Sequence, residues 1–208
     1  MDGQGRLGVW STEGECYELI AERLRAGART LETGAGLSTV LFAASGCEHF
    51  CIVPFEDEIQ RLQEYCRSRA IDLTSVHFEA GRSEIVLPAL GAGDLDLVLV
   101  DGNHGFPMPM IDFFYGAGRL RAGGTLVLDD VQLPAVRLVA EFCDLDPGWR
   151  RIIRTPKWGA WERQSSGPFV ADHVDQPSLT DAWVPGGGPF KSNSSGSLRT
   201  PGGDCAVA

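Results

Sequence analysis

Three acidic side chains follow two apolar segments that are typical of buried strands. Asp101 ends the segment "LDLVLVD", and Asp129 and Asp130 end the segment "GTLVLDD" further along the chain. Carboxylates at neighbouring strand ends repel one another unless a cation or a proton lies between them. Divalent cations such as Mg²⁺ take oxygen ligands and keep positions open for substrate oxygens. The pattern therefore indicates a cation site or, alternatively, an aspartate that caps the next helix while Asp101 contacts a ligand.

The segments that must position these acids alternate between strand-like and helix-like from residue 12 to about 145. Continuous apolar runs are typical of strands buried on both faces, and the helices between them are what parallel neighbours require. Ser11 or Thr12 is predicted to cap the first helix. Two further strand-like pieces, carrying Trp158 and Trp161 as packing residues, predict a hairpin at one edge. We therefore predict an α/β, Rossmann-like doubly wound seven-stranded sheet, mostly parallel, with an antiparallel C-terminal hairpin strand.

The length of 208 residues is that of one domain with flanking segments. We predict an N-terminal extension at residues 1–11 and a folded domain at residues 12–164. Residues 165–208 are rich in Gly, Pro and Ser, and this composition predicts a disordered tail.

A glycine turn, "ETGAGLS", follows the first predicted strand. Gly34 and Gly36 let the backbone turn tightly and approach a ligand, and the helix that follows offers free N–H groups to an anion. Thr39 stands where a third glycine would complete a dinucleotide motif, which disfavours a pyrophosphate ligand. Glu56 lies 20 residues after Gly36, where an acid that binds ribose hydroxyls is expected. The alternative for the glycine motif is an ordinary turn between a strand and a helix. The alternative for Glu56 is an acidic residue in the first turn of a helix, where the helix dipole favours it.

With these motifs in order, residues 12–164 resemble a class I S-adenosylmethionine-dependent methyltransferase. The resemblance rests on E-x-G-x-G followed by Ser, on "EAGRSEIVLPAL" after the third strand, and on the segments at the fourth and fifth strands with the final hairpin. It implies that Gly34, Ala35 and Gly36 pass beneath the cofactor and that Ser38 holds its methionine carboxylate. The remaining implied cofactor contacts are Glu32 at the turn or amino group, Glu56 at the ribose, Ser83 near the adenine, and Asp101.

The strand-end acids resemble those of the metal-dependent O-methyltransferases of the catechol and caffeoyl-coenzyme A type. This resemblance implies that Asp101, Asp129 and Asp130 hold Mg²⁺ or another divalent cation. It also implies that His104, three residues after Asp101, takes the proton from the accepting hydroxyl. Imidazole suits that task because its unperturbed pKa of about 6.5 lies near working pH. The alternative is a loop histidine that is hydrogen-bonded to backbone.

Composition narrows the partners that we expect. The net charge of −10 repels polyphosphate backbones, so we expect no nucleic acid partner and instead a small hydroxylated substrate. The chain lacks an apolar run of roughly 18–20 residues, so we expect no membrane span, and the six cysteines fit reduced thiols in the cytoplasm. Relatives of this type often form homodimers. A non-catalytic paralogue that binds the same cofactor is the alternative, and a nicotinamide dehydrogenase is disfavoured by the missing glycine.

Overall fold

The structure is a computed structural model, and it describes residues 12–166. The predicted N-terminal extension and almost all of the predicted tail lie outside the described residues. None of the helices within residues 12–166 has the length and apolar character needed to cross a bilayer.

Seven strands form one sheet in the order β3-β2-β1-β4-β5-β7-β6. Strands β1 to β5 pair in parallel, and β7 is antiparallel to both of its neighbours, β5 and β6. This confirms the predicted doubly wound sheet with an antiparallel hairpin strand. The strands are β1 Arg29–Thr33, β2 Glu48–Val53, β3 Val76–Ala80, β4 Leu95–Val100, β5 Leu120–Leu128, β6 Trp149–Arg154 and β7 Gly159–Arg163.

Two hydrophobic clusters cover the two faces of this sheet. Successive side chains of a strand point to opposite faces, and β4 shows the division. Leu97 and Leu99 pack in a cluster with residues of α1 and α2, whereas Val98 and Val100 pack with residues of α4 to α6. Trp158 and Trp161, predicted to be packing residues, are both buried. The helices are α1 Gly14–Arg23, α2 Leu37–Ala44, α3 Glu56–Ser68, α4 Ser83–Ala89, α5 Met108–Asp112 and α6 Pro134–Leu145.

The first helix begins later than the sequence predicts. Its first residue is Gly14 and its N-cap is Glu13, which makes no side-chain cap hydrogen bond. The predicted cap at Thr12 is therefore wrong, because the Thr12 hydroxyl donates instead to Asp129, at 2.7 Å. Ser11, the other predicted cap, lies outside the described residues.

The helix predicted after β4 is divided. Helix α5 ends at Asp112, and a π-helical turn continues it from Phe113 to Ala117. Gly116 in that turn packs closely on the sheet, since a Cβ there would lie 3.2 Å from Val98 Cγ1. Strand β5 then begins at Leu120, earlier than the predicted start at Gly124.

Hydrogen bonds align the carboxyl ends of the central strands. Gly34 N–H donates to the Ile52 carbonyl at 2.9 Å, and Asp101 N–H donates to the Thr33 carbonyl at 3.1 Å. Gly34 has a φ of +95°, and a Cβ at this position would overlap the carbonyl oxygen of Asp101 and lie 3.0 Å from its carbonyl carbon. The glycine turn therefore rests directly on the backbone that carries Asp101.

This contact predicts a large difference between two alanine substitutions in the same turn. Gly34→Ala should lower the free energy of unfolding by about 2–5 kcal/mol, because it adds left-handed strain and a backbone clash. Gly36→Ala is the matched control: Gly36 has an extended φ of 176° and no atom within 4 Å of an added Cβ. Its effect should stay within about 1 kcal/mol. Urea unfolding followed by circular dichroism measures both, and equal losses would contradict the assignment.

Candidate active site

Glu32 lies beneath the glycine turn and is 1% exposed. Its carboxylate accepts hydrogen bonds from the Ser38 hydroxyl, at 2.6 Å, and from the Thr39 hydroxyl. His49 Nε2 lies 3.1 Å from the same carboxylate. These contacts join β1, α2 and β2, so Glu32 ties the turn to the sheet beneath it, whereas its implied contact with the cofactor stays a prediction.

Thr39, at the position of the missing third glycine, also holds the start of α2. Its hydroxyl accepts a hydrogen bond from Gly36 N–H at 3.0 Å, while the same hydroxyl donates to Glu32. The Ser38 hydroxyl donates its proton to Glu32 in this arrangement. The N–H groups of the first turn of α2 are therefore the donors best placed for an anionic ligand.

A groove of about 300 Å³ borders the glycine turn. Ala35 and Gly36 form one side, and Glu58, Arg61, Leu62 and Tyr65 of α3 form the other. Glu56, the predicted ribose ligand, is the exposed first residue of α3. Glu58, two residues further on, is thus an acidic side chain that lines the groove and that the sequence reasoning did not single out.

Ser83 is the first residue of α4, and it lies close to a buried acid that the sequence reasoning also missed. Asp112 of α5 is 1% exposed, and neither of its carboxylate oxygens makes a hydrogen bond of good geometry among the described residues. Burial raises the pKa of Asp112, and the nearby Ser83 and Thr33 hydroxyls partly offset this rise. A Cβ at Gly102 would lie 3.3 Å from Asp112, so this acid lies directly under the segment that leads to His104.

The strand-end residues Asp101, His104 and Asp130 come together at the carboxyl ends of β4 and β5. His104 Nε2 lies 3.6 Å from Asp101 Oδ1 and 3.4 Å from Asp130 Oδ2. This Nε2 atom is buried, and it makes no hydrogen bond of good geometry among the described residues. The imidazole is thus placed between two carboxylates, and within residues 12–166 its Nε2 makes no hydrogen bond to the backbone.

The charges of this cluster act on each other. Burial raises the pKa of Asp101 to about 6, and His104 opposes the rise. The contact with Asp101 raises the pKa of His104 above its usual value; burial opposes this effect, and Asp130 adds to it. The two carboxylates therefore favour the protonated form of His104, which is the form that a general base takes after it has accepted a proton.

Asp129 faces a different set of partners. It is 1% exposed, and its carboxylate accepts hydrogen bonds from Thr12 at 2.7 Å and from Lys157 Nζ at 3.0 Å. Lys157 Nζ also donates to Asp130, which accepts a second bond from Gln132 at 2.7 Å. Helix α6 has Leu133 as its N-cap and no side-chain cap bond, so neither aspartate caps it, contrary to the alternative that the sequence left open.

The three predicted cation ligands, Asp101, Asp129 and Asp130, do not all lie close together. Ligand atoms of Asp101, His104 and Asp130 lie within 4.8 Å of one another, and Asp129 is not part of that group. Both Asp129 oxygens are engaged by Thr12 and Lys157. The predicted set of three aspartates therefore does not fit one shared cation with the side chains in this arrangement.

Lys157 is the functional candidate that the sequence reasoning missed most clearly. It lies in the turn between β6 and β7, which the sequence identified only as a connector. Strand β6 runs in the direction of β5, so this turn lies at the carboxyl edge beside the acids. The sequence signal available was a single lysine in a short hairpin turn of an acidic chain.

Comparisons with known proteins bear on this site. Residues 31–131 match the family model of a methyltransferase domain. No curated protein matches the chain. Among solved structures, cofactor-bound Rv0187 from MTB is 17% identical with a TM-score of 0.64, and the alignment covers 77% of this chain and 85% of that one.

Two other solved structures show the range of relatives. The O-methyltransferase TomG from Streptomyces achromogenes, in complex with S-adenosylmethionine, is 19% identical with a TM-score of 0.61, covering 75% of this chain and 82% of that one. An rRNA methylase from Streptococcus thermophilus is 14% identical with a TM-score of 0.58, covering 73% and 95%. At these identities the structural matches show the fold. The match of residues 31–131, the sheet order and the glycine turn together support a class I S-adenosylmethionine-dependent methyltransferase.

Proposed function

We propose that this methyltransferase transfers the methyl group to an oxygen of a small hydroxylated molecule, such as a phenol, a sugar or a natural product. The observation that carries the proposal is His104 Nε2, which lies between Asp101 and Asp130 at the strand ends and makes no hydrogen bond of good geometry among the described residues. A proton acceptor is useful for a hydroxyl acceptor because the oxygen loses its proton when it gains the methyl group.

The reaction that we propose is a direct displacement. The acceptor oxygen forms a bond to the methyl carbon, the carbon–sulfur bond breaks, and its electron pair stays on sulfur to leave S-adenosylhomocysteine. The hydroxyl proton passes to His104 Nε2, and Asp101 and Asp130 stabilise the imidazolium that forms. Because the methyl group is already activated, the protein contributes mainly by aligning donor and acceptor.

The cofactor contacts follow the resemblance. We propose that Gly34, Ala35 and Gly36 lie under S-adenosylmethionine, with the methionine carboxylate at the first turn of α2, where Ser38 lies, and with Asp101 at the cofactor amino group. Glu32 supports this turn through its buried hydrogen bonds. We propose that Glu56 contacts the ribose and that Ser83 contacts the adenine. The support for these two contacts is that Glu56 begins α3 and Ser83 begins α4.

The acceptor would lie over the segment that carries His104. Phe106 in this segment is 76% exposed, and such an aromatic side chain suits the apolar body of a small acceptor. The net charge of −10 favours this class over a polyanion such as the rRNA of one structural relative. A homodimer and a cytoplasmic location remain predictions from the resemblance and the composition.

A divalent cation is the second candidate for this site. The observation that favours it is the convergence of Asp101, His104 and Asp130 ligand atoms within 4.8 Å. Such a cation would occupy His104 Nε2 and remove it as a proton acceptor. The two candidates differ in one measurement: we expect methyl transfer to continue in EDTA, whereas the cation candidate requires that EDTA abolish it and Mg²⁺ restore it.

Uptake of the methyl donor is the first prediction from this function. Calorimetry on the full chain should show binding of S-adenosylmethionine and of S-adenosylhomocysteine, and no binding of NAD, because the turn lacks the third glycine of a dinucleotide motif. Binding of neither methyl compound would remove the proposal. Binding without turnover across a panel of phenols, sugars and natural products would favour the non-catalytic paralogue.

Substitution of His104 tests the proton acceptor. His104→Ala should lower kcat by about 10²–10⁴-fold, because it removes a general base, and should leave the Kd for S-adenosylmethionine nearly unchanged. His77→Ala is the control. His77 is exposed, it stacks on Phe50, and it is the second residue of β3, away from the carboxyl ends of β4 and β5 where the site lies. Equal losses of turnover and cofactor affinity in His104→Ala would count against the base role.

A further inference from the structure

We propose that Lys157 is a positioning residue whose ammonium group holds Asp129 and Asp130 and takes the place of a divalent cation, so that methyl transfer needs no metal. The transfer part of this inference rests on the proposed function, whereas the part that concerns cation binding does not. The resemblance of the strand-end acids to those of metal-dependent O-methyltransferases implies a metal. In this chain, however, the three aspartates that would bind it do not lie close enough to share one cation.

The turn that carries Lys157 is held in place by its own hydrogen bonds. Thr155 N–H donates to the Trp158 carbonyl at 2.8 Å, and Lys157 and Trp158 N–H groups donate to the Thr155 hydroxyl at 3.1 and 3.0 Å. The Lys157 carbonyl accepts a hydrogen bond from Val131 N–H at 2.9 Å. The backbone of Lys157 is therefore tied to the residue that follows Asp130, which fixes where its side chain begins.

The side chain ends between the two acids. Lys157 Nζ lies 3.0 Å from Asp129 Oδ2 and donates to Asp130 Oδ1, and the Lys157 side chain is 26% exposed. Burial lowers the pKa of Lys157, but the hydrogen bonds to Asp130 and Asp129 outweigh burial and raise it. The ammonium is therefore charged at neutral pH, and it supplies the positive charge that adjacent carboxylates require.

Four charged or titratable groups then alternate across the site. Lys157 contacts Asp130, Asp130 faces His104 at 3.4 Å, and His104 faces Asp101 at 3.6 Å. Lys157 fixes Asp130 from one side, so Asp130 is held in position to face His104 from the other. An added divalent cation would have to compete with an ammonium that is attached to the same chain.

Removal of the ammonium should therefore create a cation site. Titration of the full chain with Mn²⁺, followed by electron paramagnetic resonance, should show weak binding to the wild type and at least about tenfold tighter binding to Lys157→Met, because freed carboxylates bind hard cations. Arg137→Met is the control: it also removes a cation from an ion pair, with Glu141 on α6, and should behave as the wild type. Lys157→Gln serves as the second variant if Lys157→Met does not fold.

Activity provides the second readout. Wild type and Lys157→Arg should transfer methyl groups in EDTA, whereas Lys157→Met should lose activity in EDTA and regain part of it with Mg²⁺. Tight Mn²⁺ binding by the wild type that is lost in Asp130→Asn would overturn the inference. So would folded Lys157 variants with no gain in Mn²⁺ binding. The Mn²⁺ titration needs no acceptor, so it decides the role of Lys157 even if the proposed function fails.

Discussion

The close contact between the Gly34 turn and the Asp101 backbone is the constraint on which the rest of the site depends. The turn after β1 is where ligands bind in this type of sheet, and the end of β4 carries Asp101 and leads to His104, for which we propose roles in the reaction. A side chain at Gly34 would overlap the Asp101 carbonyl, so the two segments meet only because this residue has no Cβ. Glu32 holds the same turn from below through Ser38 and Thr39. The regions that we propose for donor and acceptor are thereby fixed to each other by backbone rather than by flexible side chains.

Electrostatics dominates the second half of the site. Three carboxylates lie at the adjacent ends of β4 and β5, and without positive partners this arrangement would be unfavourable. Lys157 and His104 divide the acids between them: the ammonium contacts Asp129 and Asp130, and the imidazole lies between Asp130 and Asp101. Thr12 completes the shell of the most buried acid, Asp129, and so links the start of the described chain to the same edge of the sheet. Within residues 12–166, His104 Nε2 is one of several buried polar atoms that lack a well-formed hydrogen bond.

Much of the fold could be predicted from the sequence because apolar runs and helical periodicity are local signals. The alternation of strands and helices, the parallel core and the C-terminal hairpin all followed from them. The acids at the ends of β4 and β5 could be placed side by side because parallel neighbours end at the same edge. The predicted cap at Thr12 was wrong, because a partner 117 residues away competes for its hydroxyl. Lys157 was missed for the same reason: its partners lie 27 and 28 residues earlier, and no local pattern marks a hairpin turn that folds back onto them.

The antiparallel insertion of β7 has a consequence for how the protein is made. Because β7 lies between β5 and β6, the turn that carries Lys157 reaches the carboxyl edge only when the last two strands have joined the sheet. As the chain leaves the ribosome, the acids of β4 and β5 are complete while their ammonium partner is still unsynthesised. A nascent chain that stops before the hairpin would thus carry an uncompensated pair, Asp129 and Asp130, at an open sheet edge. The positive partner of the acids and the last strands of the sheet are therefore both supplied by the same C-terminal hairpin.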